Sequence, residues 1–254
     1  MPNPDAADVD GDGKITSTDA RLLLQVSVGK ISERQLPVNL EPGAVFAGDF
    51  RAISGTVSNA EHGVQFKGSG SYDFGSGAVY NKTVKADGLR IFLGEMNLGT
   101  TACQNKGQGG LLICLTRDGT QATDGLRIQL DFNVYSNTVL NVTNQAGETL
   151  AQSNDGLFWR NINGGVPTRD LTVTLKKDGD KYLLSFLTAS RSYPSIYPQT
   201  DGISVTYELD AGKVEAAFGG EEIGLGLFPY FQNPTAVVAE STLVIGSIGN
   251  ITEG

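Results

Sequence analysis

Histidine is nearly missing from this chain: His62 is the only one among 254 residues. Any triad of hydroxyl nucleophile and imidazole base would have to use it, and no Gly-x-Ser-x-Gly elbow is present to carry the nucleophile. His62 therefore reads as a surface residue. No Gly-x-x-x-x-Gly-Lys loop, zinc-ligand spacing or dinucleotide fingerprint occurs either. No apolar run approaches the roughly 20 residues that span a bilayer, and Met1-Pro2-Asn3-Pro4 lacks the basic-then-apolar pattern of a signal peptide. Basic runs are missing too. With 19 Lys and Arg against 28 Asp and Glu, the net charge of -9 disfavours nucleic acid and anionic membrane surfaces and leaves neutral or cationic partners.

Against that background, one short stretch is dense in carboxylates. Asp8, Asp10, Asp12 and Asp19 occupy positions 1, 3, 5 and 12 of a twelve-residue loop, and Gly13 sits at position 6. A hard divalent cation takes several oxygen ligands, and a loop that alternates ligand and spacer while turning at a glycine supplies them. Asp8, Asp10, Asp12 and Asp19 would ligate calcium through side chains, Lys14 through its carbonyl, and Thr16 directly or through water. The loop is EF-hand-like. It resembles the dockerin type I repeat more than a calmodulin-type hand, because position 12 is Asp19 and no helix-forming residues precede Asp8. The resemblance covers residues 8–31. It implies that Ser17 and Thr18, at loop positions 10 and 11, face a cohesin-bearing protein, and that the protein is an exported bacterial one whose leader lay upstream of Met1. Leu24 and Gln25 stand where many dockerins carry a basic pair.

A helix should follow the loop. Thr16 is a suitable N-cap, Asp19 three residues later completes a capping-box variant, and Gly29 is placed to end the helix. Leu22, Leu23 and Val26 fall on one face. A helix of about three turns does not stand alone in water, so that face needs a mate outside its own repeat.

From Val45 onward the pattern alternates. Leu89, Ile91 and Leu93 recur every second residue, as do Leu126, Ile128, Leu130 and Phe132; Leu171, Val173 and Leu175; Leu184 and Phe186; and Ile203, Val205, Tyr207 and Leu209. Leu171 to Leu187 reads as a hairpin through Lys177-Asp178-Gly179-Asp180, and Ile203 to Phe218 as a second one through Asp210-Ala211-Gly212-Lys213. Asp-Gly pairs recur at Asp87, Asp124, Asp155 and Asp201, at irregular spacings of 37, 31 and 46 residues. Irregular spacing rejects a solenoid and marks turns that lead into strands. The expected architecture is mainly β: residues 1–36 form a small helical calcium unit, 37–44 a linker, and 45–254 an antiparallel β-sandwich.

The length and long hairpins of that domain resemble the concanavalin A-like lectin and glucanase jelly roll; an ordinary β-sandwich of another family is the alternative. Glucanases of that group carry Glu-aliphatic-Asp-x-x-Glu on one strand, which aims two carboxylates at one cleft. Here the nearest string, Glu208-Leu209-Asp210-Ala211-Gly212-Lys213, has Lys213 in place of the second glutamate. Glu221 and Glu222 are adjacent and read as a solvated pair in a loop.

Sugar rings present flat apolar faces that aromatic planes hold, flanked by amide and guanidinium groups. Trp159, the sole tryptophan, is followed by Arg160 and Asn161, and Tyr193 and Tyr197 stand beside prolines in a long connection. These five residues are candidates for a glycan platform; Trp159 in the core and the tyrosines on an edge is the other reading. Cys103 and Cys114, with ten residues between them, either close a disulfide in an oxidising compartment or remain two buried thiols. Together these features point to an extracellular or cell-surface, non-catalytic module in which a calcium-stabilised dockerin-like unit is joined to a glycan-binding sandwich, in a polysaccharide-handling assembly such as a cellulosome. A structural or adhesive sandwich with the calcium unit as spacer is the alternative, and a glycoside hydrolase comes third.

Overall fold

The computed structural model describes residues 17, 20, 21, 24, 45–60, 63–67, 77–97, 108–133, 138–153, 168–188, 204–232 and 242–250. Ser17, Ala20, Arg21 and Leu24 have helical backbone. Leu22, Leu23 and Val26 lie outside the described residues.

A single 3-10 turn, Ala47–Asp49, opens the β domain and leads into β1 (Phe50–Ser54), β2 (Thr56–Ala60), β3 (Gly63–Lys67), β4 (Gly77–Tyr80) and β5 (Val84–Lys85). Next come β6 (Leu89–Asn97), β7 (Gln108–Thr116), β8 (Gly125–Asn133), β9 (Thr138–Asn144), β10 (Thr149–Ser153), β11 (Thr168–Asp178) and β12 (Lys181–Thr188). The chain then runs through β13 (Ser204–Asp210), helix α1 (Ala211–Phe218), β14 (Glu222–Gln232) and β15 (Thr242–Asn250). Among the described residues no helix is long and apolar enough to cross a membrane.

Two antiparallel sheets result. One has eight strands, ordered β1-β4-β14-β7-β8-β9-β10 with β5 paired to β14; the other has seven, ordered β13-β12-β11-β6-β15-β3-β2. The alternation read from sequence sets which face of each strand turns inward. Leu89, Ile91 and Leu93 meet Leu126, Ile128, Leu130, Leu171, Val173, Leu175, Leu184 and Phe186 in one buried cluster between the sheets. Each such side chain taken out of water contributes about 1.5–3 kcal/mol, which is what holds the two layers together. The predicted first hairpin is present as β11–β12. Asp178 pairs with Lys181, and Gly179 supplies the positive φ of 61° that so tight a turn requires.

The second predicted hairpin is not a hairpin. Strand β13 ends at Asp210, and the residues read as its partner strand form α1. The Asp210 side chain caps that helix by accepting the Lys213 N–H at 2.8 Å, and Gly219 ends it with φ 67°. Ala211, Val214 and Phe218 are buried at helical spacing. Glu222 likewise opens β14 rather than lying in a loop, while Glu221 precedes it, and both side chains are exposed.

The strand ends show where the undescribed segments attach. Residues 98–107, 154–167, 189–203 and 233–241 leave and enter at Asn97, Gln108, Ser153, Thr168, Thr188, Ser204, Gln232 and Thr242. Pairing places these strand ends along one edge of the sandwich, opposite the β11–β12 turn and α1.

Candidate functional site

On the outward face of the seven-stranded sheet two rows are rich in hydroxyls, while Lys176, Lys181 and Glu208 stand on the same face nearer the β11–β12 turn. Register sets Gly249, Arg90, Thr174, Ser185 and Thr206 side by side across β15, β6, β11, β12 and β13. The neighbouring row is Ser247, Phe92, Thr172, Leu187 and Ser204. Each residue sits one position out of phase with a core residue of its own strand, so the alternation that builds the core also turns this set to the outer face, where Thr172 and Ser247 are nonetheless buried.

Apart from Phe92, the two rows line an open groove of about 470 Å³. Ser185 and Thr206 share a hydrogen bond at 2.8 Å. At the groove's end the Asn250 amide donates to the Asp87 carbonyl at 2.8 Å and to the Lys85 carbonyl at 3.1 Å. Leu187 is 52% exposed and Phe92 half-buried, which leaves apolar surface between hydroxyl-bearing neighbours. Among the described residues Arg90 is the one charged side chain lining the groove. Such a surface offers hydrogen bonds and apolar contact.

Carboxylates elsewhere are tied to structural partners. Glu208 forms an ion pair with Lys181, Glu148 with Lys213 and Glu215 with Lys177. The hydrogen bond and charge of Lys213 hold the Glu148 carboxyl below the usual carboxylate value. Asp210 caps α1, and Glu222 accepts the Thr83 hydroxyl at 2.6 Å. Of the Glu208-Leu209-Asp210 string, one acid is thus paired on a strand and the other ends it.

A second cavity of about 550 Å³ lies between α1 and the base of both sheets, beside Asp87, Lys177, Tyr182, Glu215 and Glu221. Its polar groups bond mutually: Asp87 accepts the Lys177 N–H at 2.7 Å, and the Lys177 ammonium bonds Glu215. Burial, then the Glu215 charge, pushes the Tyr182 phenol upward in pKa. This is the joint between hairpin and helix.

Most residues singled out by sequence fall outside the described part of the chain. That holds for the calcium set Asp8, Asp10, Asp12, Lys14, Thr16 and Asp19, for Thr18, for Trp159, Arg160, Asn161, Tyr193 and Tyr197, and for Cys103. Ser17 is helical and exposed. Among the described residues no cluster of three or more His, Cys, Asp or Glu is arranged to hold a metal. Cys114 is a buried free thiol, and burial pushes it up to about 12. The segment bearing the two tyrosines joins β12 to β13, between Thr188 and Ser204, and the one bearing Trp159 joins β10 to β11, between Ser153 and Thr168.

The groove residues themselves were not singled out from sequence. The available signal was Thr172-Val-Thr174 and Ser204-Val-Thr206, whose outward positions are hydroxyls where a solvated strand ordinarily carries charges.

No family model matches the chain, and no curated protein matches it in sequence. Among solved structures the chain is similar to the carbohydrate binding module CBM66 from Bacillus subtilis, at 10% identity and TM-score 0.40, over 83% of this chain and 100% of that one. It is similar to a legume lectin-like domain from Entamoeba histolytica at 14% and 0.45, over 82% and 91%. It is similar as well to a Bacillus licheniformis beta-glucanase at 11% and 0.41, over 85% and 95%. Likeness at this level decides nothing about ligand or chemistry.

Proposed function

We propose that this chain is a non-catalytic, extracellular carbohydrate-binding module of the concanavalin A-like kind, whose sandwich takes a glycan on the open face of the seven-stranded sheet. The observation that carries this reading is the groove itself: two rows of hydroxyls with Arg90 and Leu187 among them and, among the described residues, no carboxylate along it. A sugar offers hydroxyls to Ser185, Thr206 and Arg90 and a C–H face to apolar surface. Trp159, Arg160, Asn161, Tyr193 and Tyr197 are proposed as further contacts for the same glycan. Binding of wild-type protein on a glycan array, with loss on Arg90→Ala and on Trp159→Ala, tests the reading. Array binding that survives both substitutions would remove it.

The N-terminal unit is proposed to bind calcium through Asp8, Asp10, Asp12, Lys14, Thr16 and Asp19, and to meet a cohesin-bearing partner through Ser17 and Thr18. Four carboxylates crowded into one loop repel without a cation, so binding free energy becomes folding free energy. A chelator should raise amide exchange in residues 8–30 and leave the sandwich unchanged. Equal exchange with and without chelator would contradict the calcium site.

A further inference from the structure

The turn that opens the sandwich holds a carboxylate with far more partners than a cap needs. Asp49 is only 4% exposed. Its Oδ2 accepts the Phe46 N–H at 2.8 Å, which closes the 3-10 turn. Its Oδ1 faces two cations: the Lys82 ammonium at 3.3 Å and the Arg21 guanidinium at 3.4 Å. Arg21 comes from the helical residues at the N-terminus, 28 positions upstream, and its guanidinium also lies 4.5 Å from the centre of the Phe46 ring.

The turn is fixed by the sandwich alone. Asn81 donates its N–H to the Asp49 carbonyl at 2.7 Å and its side-chain amide to the Gly48 carbonyl at 3.2 Å. The Ala47 N–H reaches the Asn59 side chain at 2.8 Å. None of these bonds uses Arg21, so the aromatic plate and the carboxylate are in place before the N-terminal residues arrive. A planar guanidinium can lie over a ring while donating to an oxygen at its edge, and a lysine in its place would forfeit the stacking. A carboxylate this buried needs its charge answered.

We infer that the Phe46–Asp49 turn is a docking cradle for the N-terminal helical residues of the same chain. Arg21 is the side chain it receives, and Asp49 and Phe46 are the two groups that recognise it. The helical residues are then held against the sandwich at a defined place, with Ser17, Ala20 and Leu24 exposed.

Hydrogen exchange of the full chain tests this through the peptide spanning residues 17–24. Arg21→Met should speed exchange there about tenfold, since one charged hydrogen bond and one stacked cation are lost together. Arg21→Lys should fall between the two, and peptides from β6, β11 and β12 should not change. Asp49→Asn keeps an oxygen for the Phe46 N–H and should match Arg21→Met, and the double variant should be no faster than either single one. Exchange at residues 17–24 that is the same in wild type and Arg21→Met, or single effects that add in the double variant, would overturn the clasp.

Discussion

The outward faces of the two sheets are built from the same alternation and end in opposite states. On the eight-stranded sheet Val79, Leu112, Cys114 and Phe228 point away from the main core and are nonetheless buried, at 5, 4, 0 and 2% exposure. On the seven-stranded sheet the corresponding positions are hydroxyls, Arg90 and the half-exposed Leu187. Strand pairing does not create the difference; what lies on top does. On the first sheet the turn after β7 folds back over β14. Gly224 and Gly226 allow it, since a Cβ on Gly226 would stand 1.9 Å from the Gly119 carbonyl oxygen and one on Gly224 would stand 2.3 Å from the Gly119 nitrogen. Asp118 ties that turn by accepting from the Thr120 N–H at 2.9 Å and from the Thr120 and Thr123 hydroxyls at 2.7 Å each. Burial raises the Asp118 carboxyl, but those hydrogen bonds outweigh it and leave it below its ordinary value. A covered face can be apolar. The face that no described residue covers meets water or a ligand.

The comparison breaks first at Phe228. Phe228→Ala should cost about 3–5 kcal/mol by urea denaturation, as a buried aromatic does, whereas Leu187→Ala on the open face should stay within about 0.5 kcal/mol. Comparable losses at the two positions would mean that the faces are not distinguished by cover. Gly226→Ala comes next, at about 1–3 kcal/mol, because the new methyl group must lift the Gly119 turn. The same substitution should expose Cys114 to iodoacetamide, read on its own peptide by mass spectrometry, while wild-type Cys114 stays unlabelled until the protein unfolds.

A smaller effect follows from ionisation. Burial, offset in part by Arg127, lifts the Cys114 thiol from 9.0 to about 12. Burial, then Asp49, lifts the Tyr80 phenol from 10.0 to about 12. Both groups stay neutral in the folded chain at pH values where the unfolded chain has released their protons. Stability should therefore fall as pH rises from about 9 towards 12, with no contribution from either group below pH 9. Replacing Cys114 with Ala should flatten the lower part of that slope, measured as urea midpoints across the pH series.

Much of the sandwich is legible in the sequence because a strand buried on one face announces itself residue by residue. Leu126-Arg127-Ile128-Gln129-Leu130 can be laid out before any partner is known. Helix α1 was not legible to the same reading. Val214, Ala216 and Phe218 fit a period of two, while Ala211, Val214 and Phe218 fit a period of 3.6, and eight residues are too few for periodicity to choose. The choice was in the flanks, where Asp210 caps and Gly219 terminates. The groove was less legible still. Arg90 meets Thr174 and Gly249 only through the register of β6 with β11 and β15, a tertiary fact with no local signature. The cover over the other face is of the same kind, since it depends on Gly119 meeting Gly224 and Gly226 a hundred residues away in the chain.

The central claim is that the uncovered face is the one that binds sugar. Titration calorimetry with the best glycan from an array, comparing wild type with the double variant Arg90→Ala, Ser185→Leu, addresses it directly. Neither side chain belongs to the core, so thermal unfolding should be nearly unchanged. Affinity should drop about tenfold or more as the charged and hydroxyl contacts are lost. Wild-type affinity in the double variant, with the fold intact, would place the binding surface elsewhere and contradict the account.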